Sequence, residues 1–327
     1  MTSHNIFSEF DGKSPSVSLP ELSDRLLQAQ AASWPQLAKG IASLETVRVR
    51  DVPCNGFLVA LQFNPGRIVS TGAMVDEKTI RERPCFLCAQ NLPPEQRGIL
   101  TYGEFLVLCN PAPIFRGHFT ISHVNHFPQA LEPFTPTFLR IAKDLGPAYT
   151  VFYNGPKCGA SAPDHMHFQA SPVGAIPVER DAADGRRRKV LGRAKNLTIL
   201  TLERYGRGVI ILESAHHEDL AATLLNLIGD LRTLFAVKEE PMFNALCSFQ
   251  NDAWRVILFP RTKHRPDVFF QEGEQQVMVS PAAVDIGGLI ITPREKDFDG
   301  LNAGMIEAMF QEVSVDARMI REIAGNL

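Results

Sequence analysis

Apolar residues along the chain follow two spacings. Between Leu19 and Leu44 they recur three and four residues apart (Leu22, Leu26, Leu27, Trp34, Leu37, Ile41), which predicts one or two covering helices. Gly56 to Phe63 (GFLVALQF) is a continuous apolar run bounded by Asn55-Gly56 and Asn64-Pro65-Gly66, as in a buried strand that ends in a turn. From Phe105 onward strand-length runs follow one another: FLVLCN, GHFTISH, AYTVFYNG and HMHFQASP, with one helical insert, TPTFLRIAKDLG, opened by Thr135-Pro136. The remainder offers VIILES, an amphipathic helix from about His217 to Val237, then FNALCSFQ, WRVILFPR and LIITPR, and a closing helix from Gly300 to about Gly325. The first 20 residues and the stretch 173–196 read as polar and irregular.

Runs of strands with helices inserted between them indicate an α+β protein with a mainly antiparallel sheet and flanking helices, not a doubly wound one. The order strand, helix, strand, strand occurs in both halves with little residue identity, which suggests a duplication. Three segments follow: an N-terminal helical extension (1–50), a half carrying the chemistry (51–196) and a second half (197–327).

With 45% hydrophobic and 21% charged residues, the 327-residue chain can bury a full core and is far from disorder. A net charge of -3 leaves no basic field for nucleic acid. The single basic run, Arg186-Arg187-Arg188-Lys189, reads as a solvated loop. No apolar stretch is long enough to span a bilayer, and MTSHNIFSEFDGKS lacks the charged start and apolar run of a leader. A cytoplasmic protein without membrane or nucleic-acid partners is expected. In such a compartment the six cysteines do not form a disulfide framework, and a close pair is better read as metal-binding or redox-active.

The densest chemistry lies in Asn154-Gly155, then Gly159-Ala160-Ser161-Ala162-Pro163-Asp164-His165-Met166-His167-Phe168-Gln169. Alternate side chains of a strand share a face, so His165, His167 and Gln169 point one way while Met166 and Phe168 enter the core. Imidazole is a neutral nucleophile near pH 7. A covalent histidine intermediate divides a difficult displacement into two easier ones, and a glycine-bearing turn can offer backbone N–H groups to phosphate oxygens. The competing interpretation is a surface strand with two incidental histidines.

Cys85-Phe86-Leu87-Cys88 is the second motif. A CxxC knuckle brings two thiolates to one tetrahedral zinc, which then requires two further N or S ligands. Redox use and simple packing are the alternatives; Pro93-Pro94 downstream argues against the long helix that a redox CxxC opens.

The run HMHFQ resembles the HxHxQ motif of the transferase branch of the histidine-triad superfamily, which contains galactose-1-phosphate uridylyltransferase, diadenosine tetraphosphate phosphorylase and GDP-L-galactose phosphorylase. The resemblance implies an antiparallel sheet of two histidine-triad-like halves, His167 as nucleophile and Gln169 as holder of the bound phosphate; the hydrolases of the superfamily carry a third His where this chain has Gln169. It further implies a structural zinc held by Cys85, Cys88, His126 and His165, with His118 and His123 as competitors for the place of His126.

The segment QFNPGR resembles the QLNxGR segment of the GDP-L-galactose phosphorylases, and residues 280–300 resemble their C-terminal part. These islands add Asn64 and Arg67 as substrate contacts, beside Asn154, Gly159 and Ser161; Arg261, Lys263 and His264, leaving WRVILFPR, are candidate phosphate contacts from the second half. Arg67 on a solvated turn is the plainer alternative. The glycine turn before His165 is one residue longer than in the uridylyltransferases, and the CxxC is not typical of the plant phosphorylases. The expected activity is nucleotidyl transfer from a nucleoside diphosphate-sugar or dinucleoside polyphosphate, through a His167 adduct, to inorganic phosphate or a sugar phosphate. A nucleotide hydrolase, a catalytically inactive nucleotide-binding protein and a homodimer remain open.

Overall fold

A computed structural model describes residues 5–13, 16–72, 76–194, 196–325 and 327. Fourteen strands are formed among them: β1 (Ile6–Phe10), β2 (Arg48–Pro53), β3 (Leu58–Phe63), β4 (Gly98–Thr101), β5 (Phe105–Cys109), β6 (Phe119–His123), β7 (Tyr149–Asn154), β8 (His167–Pro172), β9 (Arg188–Ala194), β10 (Leu197–Leu202), β11 (Ile210–Ser214), β12 (Phe243–Gln250), β13 (Ala253–Pro260) and β14 (Leu289–Thr292). Eleven of them build one sheet in the order β1-β4-β5-β6-β8-β7-β12-β13-β11-β10-β9, and β14-β3-β2 build a second. Only the β1–β4 and β3–β14 pairs are parallel.

The large sheet consists of two halves of the same topology. Strands β4, β5, β6, the helix Thr135–Leu145, β7 and β8 are ordered 4-5-6-8-7; β9, β10, β11, the helix His217–Leu234, β12 and β13 are ordered 9-10-11-13-12. The halves join where β7 pairs with β12, Asn154 opposite Asn244. This is the expected α+β arrangement, a mainly antiparallel sheet built from two like halves.

One face of the sheet is covered throughout by the helices Leu19–Ser33, Thr135–Leu145, His217–Leu234 and Ala317–Gly325. Their buried side chains, Leu26, Phe138, Leu227 and Ile320 among them, meet Val107, Ile121, Phe168 and Val256 from the strands. The other face is covered over its second half, where Ile211, Leu246 and Ile257 pack against Leu61 and Ile290 of the small sheet and Phe310 of the helix Ala303–Val313. Over β5 to β8 that face lines a cavity of about 490 Å³.

Several elements differ from expectation. Residues 6–10 are not irregular but form β1, so the N-terminal segment is not wholly helical. The polar stretch 173–196 contains the helix Pro177–Ala183 and β9, and the second half begins its sheet at Arg188 instead of residue 197. The basic run is thus only in part a solvated loop: Arg186, on the turn before β9, is 90% exposed, while Arg188 joins Arg255 on Glu213, Lys189 lies 3.4 Å from Glu203, and Arg187 donates to the Gly56 carbonyl at 2.7 Å. As an edge strand with no buried residue, β9 has no apolar face for the sequence to reveal. The closing helix expected from Gly300 is broken into Ala303–Val313 and Ala317–Gly325, behind a separate helix Glu295–Gly300; at the break Ser314 bridges to Arg261. No described helix is long and apolar enough to cross a membrane.

Candidate active site

Strand β8 alternates as its sequence demands. Met166, Phe168 and Ala170 are buried against the helices, while His167 and Gln169 line the cavity on the opposite face. The ladder opens at the start of β8, and the Gln129 side chain closes the gap: its Oε1 accepts from His167 N–H at 2.8 Å, and its Nε2 donates to the Asn154 and His167 carbonyls, each at 2.9 Å.

The tautomer of His167 follows from its partner. Nδ1 lies 2.8 Å from the His165 carbonyl, which can only accept, so Nδ1 carries the proton. Nε2 is left with its lone pair and has no hydrogen-bond partner among the described residues. Burial pushes this imidazole down to about 4, so it is neutral near pH 7.

Gln169 is oriented by a residue that sequence reading treated only as a rival metal ligand. The backbone N–H of Ile114 donates to His118 Nδ1 at 3.2 Å, so the proton of His118 sits on Nε2 and donates to Gln169 Oε1 at 2.8 Å. The amide nitrogen of Gln169 is thereby turned away from His118 as a free donor. Burial, with the charge of Arg67 adding to it, pushes His118 down to about 3.

The loop between β7 and β8 completes the near wall. Gly159 has φ +91°, and a Cβ there would lie 2.6 Å from that of Ala282, so only glycine fits this close approach. Asn154 Oδ1 accepts from Asn244 Nδ2 at 2.9 Å and from Ala283 N–H at 2.8 Å, which leaves its amide nitrogen as a donor. Asn154, Gly159 and Ser161 all line the cavity, as does Arg67, whose Nη1 donates to the Ala112 carbonyl at 2.6 Å.

Beside this wall Cys85, Cys88, His126 and His165 bring their ligand atoms within 4.8 Å of one another. Cys85 Sγ and His165 Nδ1 are 3.3 Å apart, Cys88 Sγ and His126 Nδ1 3.2 Å, and the two Nδ1 atoms 3.2 Å. A tetrahedral ion bound by two thiolates and two imidazoles separates its ligand atoms by about 3.3–3.8 Å, so the four groups fit one metal. His165 Nε2 donates to the His123 carbonyl at 2.8 Å, which frees Nδ1 as the ligand atom. The rivals are engaged elsewhere: His118 on Gln169, and the His123 ring among Phe105, Phe127 and Phe134, where its Nδ1 accepts from Asn125 N–H.

Three expected contacts do not reach the cavity. Asn64 is buried and its amide donates to Gln62 Oε1 and the Pro113 carbonyl, so it braces the turn that presents Arg67. Arg261 is fully buried, and all five of its N–H donors are used, on Val313, Asn244, Pro281, Lys263 and His264. Lys263 pairs with Asp267 and Glu312 on the surface. The second half instead contributes His264, Arg265, Ser280 and Asp285, and the first half adds Arg83, Gln96 and Asn110. His264 was expected; apart from Asp285, in the short helix Ala283–Ile286, the others lie in irregular segments, where neither helical nor strand parity reports direction.

Residues 26–172 match the family described as a domain of unknown function (DUF4922), and residues 182–326 match the GDPGP1-like, C-terminal domain. No curated protein sequence matches the chain. Among solved structures, yeast Ap4A phosphorylase Apa2 in complex with Ap4A superposes with a TM-score of 0.60 at 15% identity, covering 90% of this chain and 97% of that one. The same enzyme without that ligand gives 0.56 at 16% identity, over 88% and 94% of the two chains. Its AMP complex gives 0.55 at 16%, over 88% and 96%. At such identities the likeness is one of fold. The GDPGP1-like match covers the second half of the chain, and the fold shared with Ap4A phosphorylase extends over nearly all of it.

Proposed function

We propose that the protein is a nucleotidyltransferase of the phosphorylase type. Its substrate is a nucleoside diphosphate-sugar or a dinucleoside polyphosphate, and His167 carries the nucleoside monophosphate between donor and acceptor. The observation that carries this reading is the fixed tautomer of His167 beside an oriented Gln169: a neutral nucleophile and an N–H donor share one wall of the cavity. The complexes of Apa2 with Ap4A and AMP support a nucleotide ligand by analogy of fold.

In the first step Nε2 of His167 attacks the α-phosphorus, and the bond from that phosphorus to the bridging oxygen breaks, releasing a sugar phosphate or a nucleoside polyphosphate with the electron pair. Nδ1–H donates to the His165 carbonyl as the ring becomes positively charged. An oxygen of inorganic phosphate or of a sugar phosphate then attacks the adduct and returns the pair to Nε2. Gln169 Nε2, Asn154 Nδ2, Ser161 and Arg67 are the donors toward the equatorial oxygens, where charge accumulates in both transition states.

Both leaving group and acceptor are anionic phosphates, so neither step needs a general acid or base. That suits this cavity: Asp285, its one aspartate, has both oxygens occupied by the N–H groups of Ala282 and Ile291. Asp285 is thus occupied, and Gln169 beside His167 cannot take a proton from water, which favours transfer over hydrolysis; His264 lines the cavity from the second half. Catalysis is assigned to the half 51–196 and support to 197–327, with Asn244 and Arg261 steadying Asn154 across the junction. Zinc is the metal that the Cys85, Cys88, His126 and His165 donor set suits; when bound it supplies a closed structural cross-link that fixes the strand leading into His167.

The test is covalent labelling. Incubation with substrate labelled at the α-phosphate should leave label on the denatured protein, acid-labile and base-stable as a phosphoramidate is, and His167→Ala should abolish it. Ping-pong kinetics and retention at phosphorus should accompany it. Inversion at phosphorus, or robust turnover by His167→Ala, overturns the proposal.

A further inference from the structure

We propose that Arg83, two residues before the metal knuckle, is a second phosphate-binding cation, and that it grips the phosphate of the nucleotide that stays on the enzyme. The inference rests on the nucleotidyl-transfer reading above and adds a residue that no motif indicates.

Arg83 lines the cavity with its side chain 25% exposed. Nη2 donates to the Ser161 carbonyl at 2.7 Å, so the guanidinium is anchored to the glycine turn that faces His167. Phe86 lies beneath it, 5.1 Å from the ring centroid. The nearest carboxylate, Asp164, is 3.6 Å from Nη2, beyond hydrogen-bond reach, and its buried Oδ1 has no hydrogen-bond partner. Neither Nη1 nor the buried Nε has a hydrogen-bond partner among the described residues, so the guanidinium that lines the cavity keeps donors unspent. An arginine held at one nitrogen by a carbonyl, stacked on a ring and open at another nitrogen is pre-organised for an oxyanion.

Its location selects the phosphate. Arg83 enters the cavity beside Phe86, Leu87 and Leu92, the apolar wall suited to a nucleoside, while His264, Arg265 and Ser280 line the cavity from the opposite half. The first wall suits the retained nucleotide and the second the leaving group and acceptor. Arg67 and Arg83 line the cavity together, which suits a ligand with more than one phosphate.

The experiment compares native protein with Arg83→Gln and Arg83→Lys, each checked for unchanged metal content and melting temperature. Nucleoside, nucleoside monophosphate and nucleoside diphosphate are titrated calorimetrically. Arg83→Gln should weaken both nucleotides on the order of tenfold or more, the size of a lost hydrogen bond to a charged group, and leave the nucleoside unchanged. Arg83→Lys should recover only part of the loss. In turnover, the KM for the nucleotide donor should rise while that for inorganic phosphate holds. If native protein binds no nucleotide, the functional proposal itself fails. If native protein binds nucleotides and Arg83→Gln binds them equally well, or the KM for phosphate is the one that rises, the role of Arg83 is overturned and the functional proposal stands.

Discussion

The Nε2–H of His118 donates to Gln169 Oε1 at 2.8 Å, and this contact decides which end of the Gln169 amide meets a ligand. Without it the amide could flip and present a carbonyl oxygen to a phosphate, which would repel it. His118→Phe should therefore lower kcat/KM by about 1 kcal/mol, roughly fivefold, with little change in nucleoside binding. Steady-state kinetics on the variant decide the point; wild-type kcat/KM would mean that Gln169 orients itself.

Burial also makes His118 a reporter of pH. Its folded pKa is pushed down to about 3, and that of His264 to about 4, both below the unfolded value near 6.5. Below pH 6.5 the unfolded chain binds protons that the folded chain refuses, so stability is full above that pH and falls progressively as pH drops toward 4. Urea midpoints measured from pH 7 to 4.5 should decline, and His118→Phe should decline less steeply. Because the buried carboxyls of Glu240 and Asp285, raised to about 7 and about 6, act in the opposite sense in both proteins, the difference between the two profiles is the test, and equal slopes would contradict the burial of His118.

Arg261 and Lys263 separate structure from binding. Arg261 joins Asn244, which holds Asn154 Oδ1, so a guanidinium assigned from sequence to phosphate in fact steadies a cavity-lining amide from behind. Arg261→Ala leaves carbonyls and Asn244 buried without a donor and should cost roughly 3–5 kcal/mol, as breaking buried charged networks does. Lys263→Ala, at an exposed ion pair, should change stability by less than about 1 kcal/mol and leave nucleotide affinity alone. Thermal melts and titrations on the two variants settle both statements.

What could be read from sequence was what periodicity and short motifs encode. HMHFQ gave its two faces because β8 is a regular strand with a buried row, and the CxxC knuckle gave two ligands because spacing alone brings the thiols together. Arg261 was misread because the chain leaves β13 at Pro260 and turns, so strand parity no longer indicates direction. Arg83, Gln96, Asn110 and Asp285 meet only through tertiary contacts over long separations, and His118 pairs with a residue on a neighbouring strand whose register the sequence does not print. Strand β1 was missed for another reason: its pairing with β4 is parallel and at the sheet edge, with a single buried residue to mark it.

The metal cluster predicts a dependence on folding rather than on chemistry. Freshly purified protein should contain one equivalent of zinc by elemental analysis, and Cys85→Ser should lower the melting temperature while the purified, folded fraction still accepts label on His167, because a closed four-ligand site contributes folding energy. Absence of metal that cannot be restored by added zinc would contradict the assignment, whatever the spacing of the four ligand atoms.

The identity of residue 169 carries the choice between transfer and hydrolysis. Gln169 can donate a hydrogen bond but cannot gain or lose a proton near pH 7, so it offers no base to water attacking the His167 adduct, while a phosphate dianion needs none. Gln169→His supplies a titratable ring at that point, and His118 Nε2–H, which now donates to Gln169 Oε1, can donate to one nitrogen of the new ring and leave the other toward the cavity. The variant should release free nucleoside monophosphate from the labelled adduct faster in the absence of acceptor, and the ratio of hydrolysis to phosphorolysis should rise, on the order of the hundredfold that a positioned base contributes at the least. Its controls are Gln169→Asn, which keeps an amide but shortens it, and Gln169→His with His118→Phe, which keeps the new ring but removes its orienting donor; both should hydrolyse more slowly than Gln169→His alone. If adduct lifetime in water is the same for the native protein and the Gln169→His variant, the residue does not govern acceptor choice, and exclusion of water by closure of the cavity would have to.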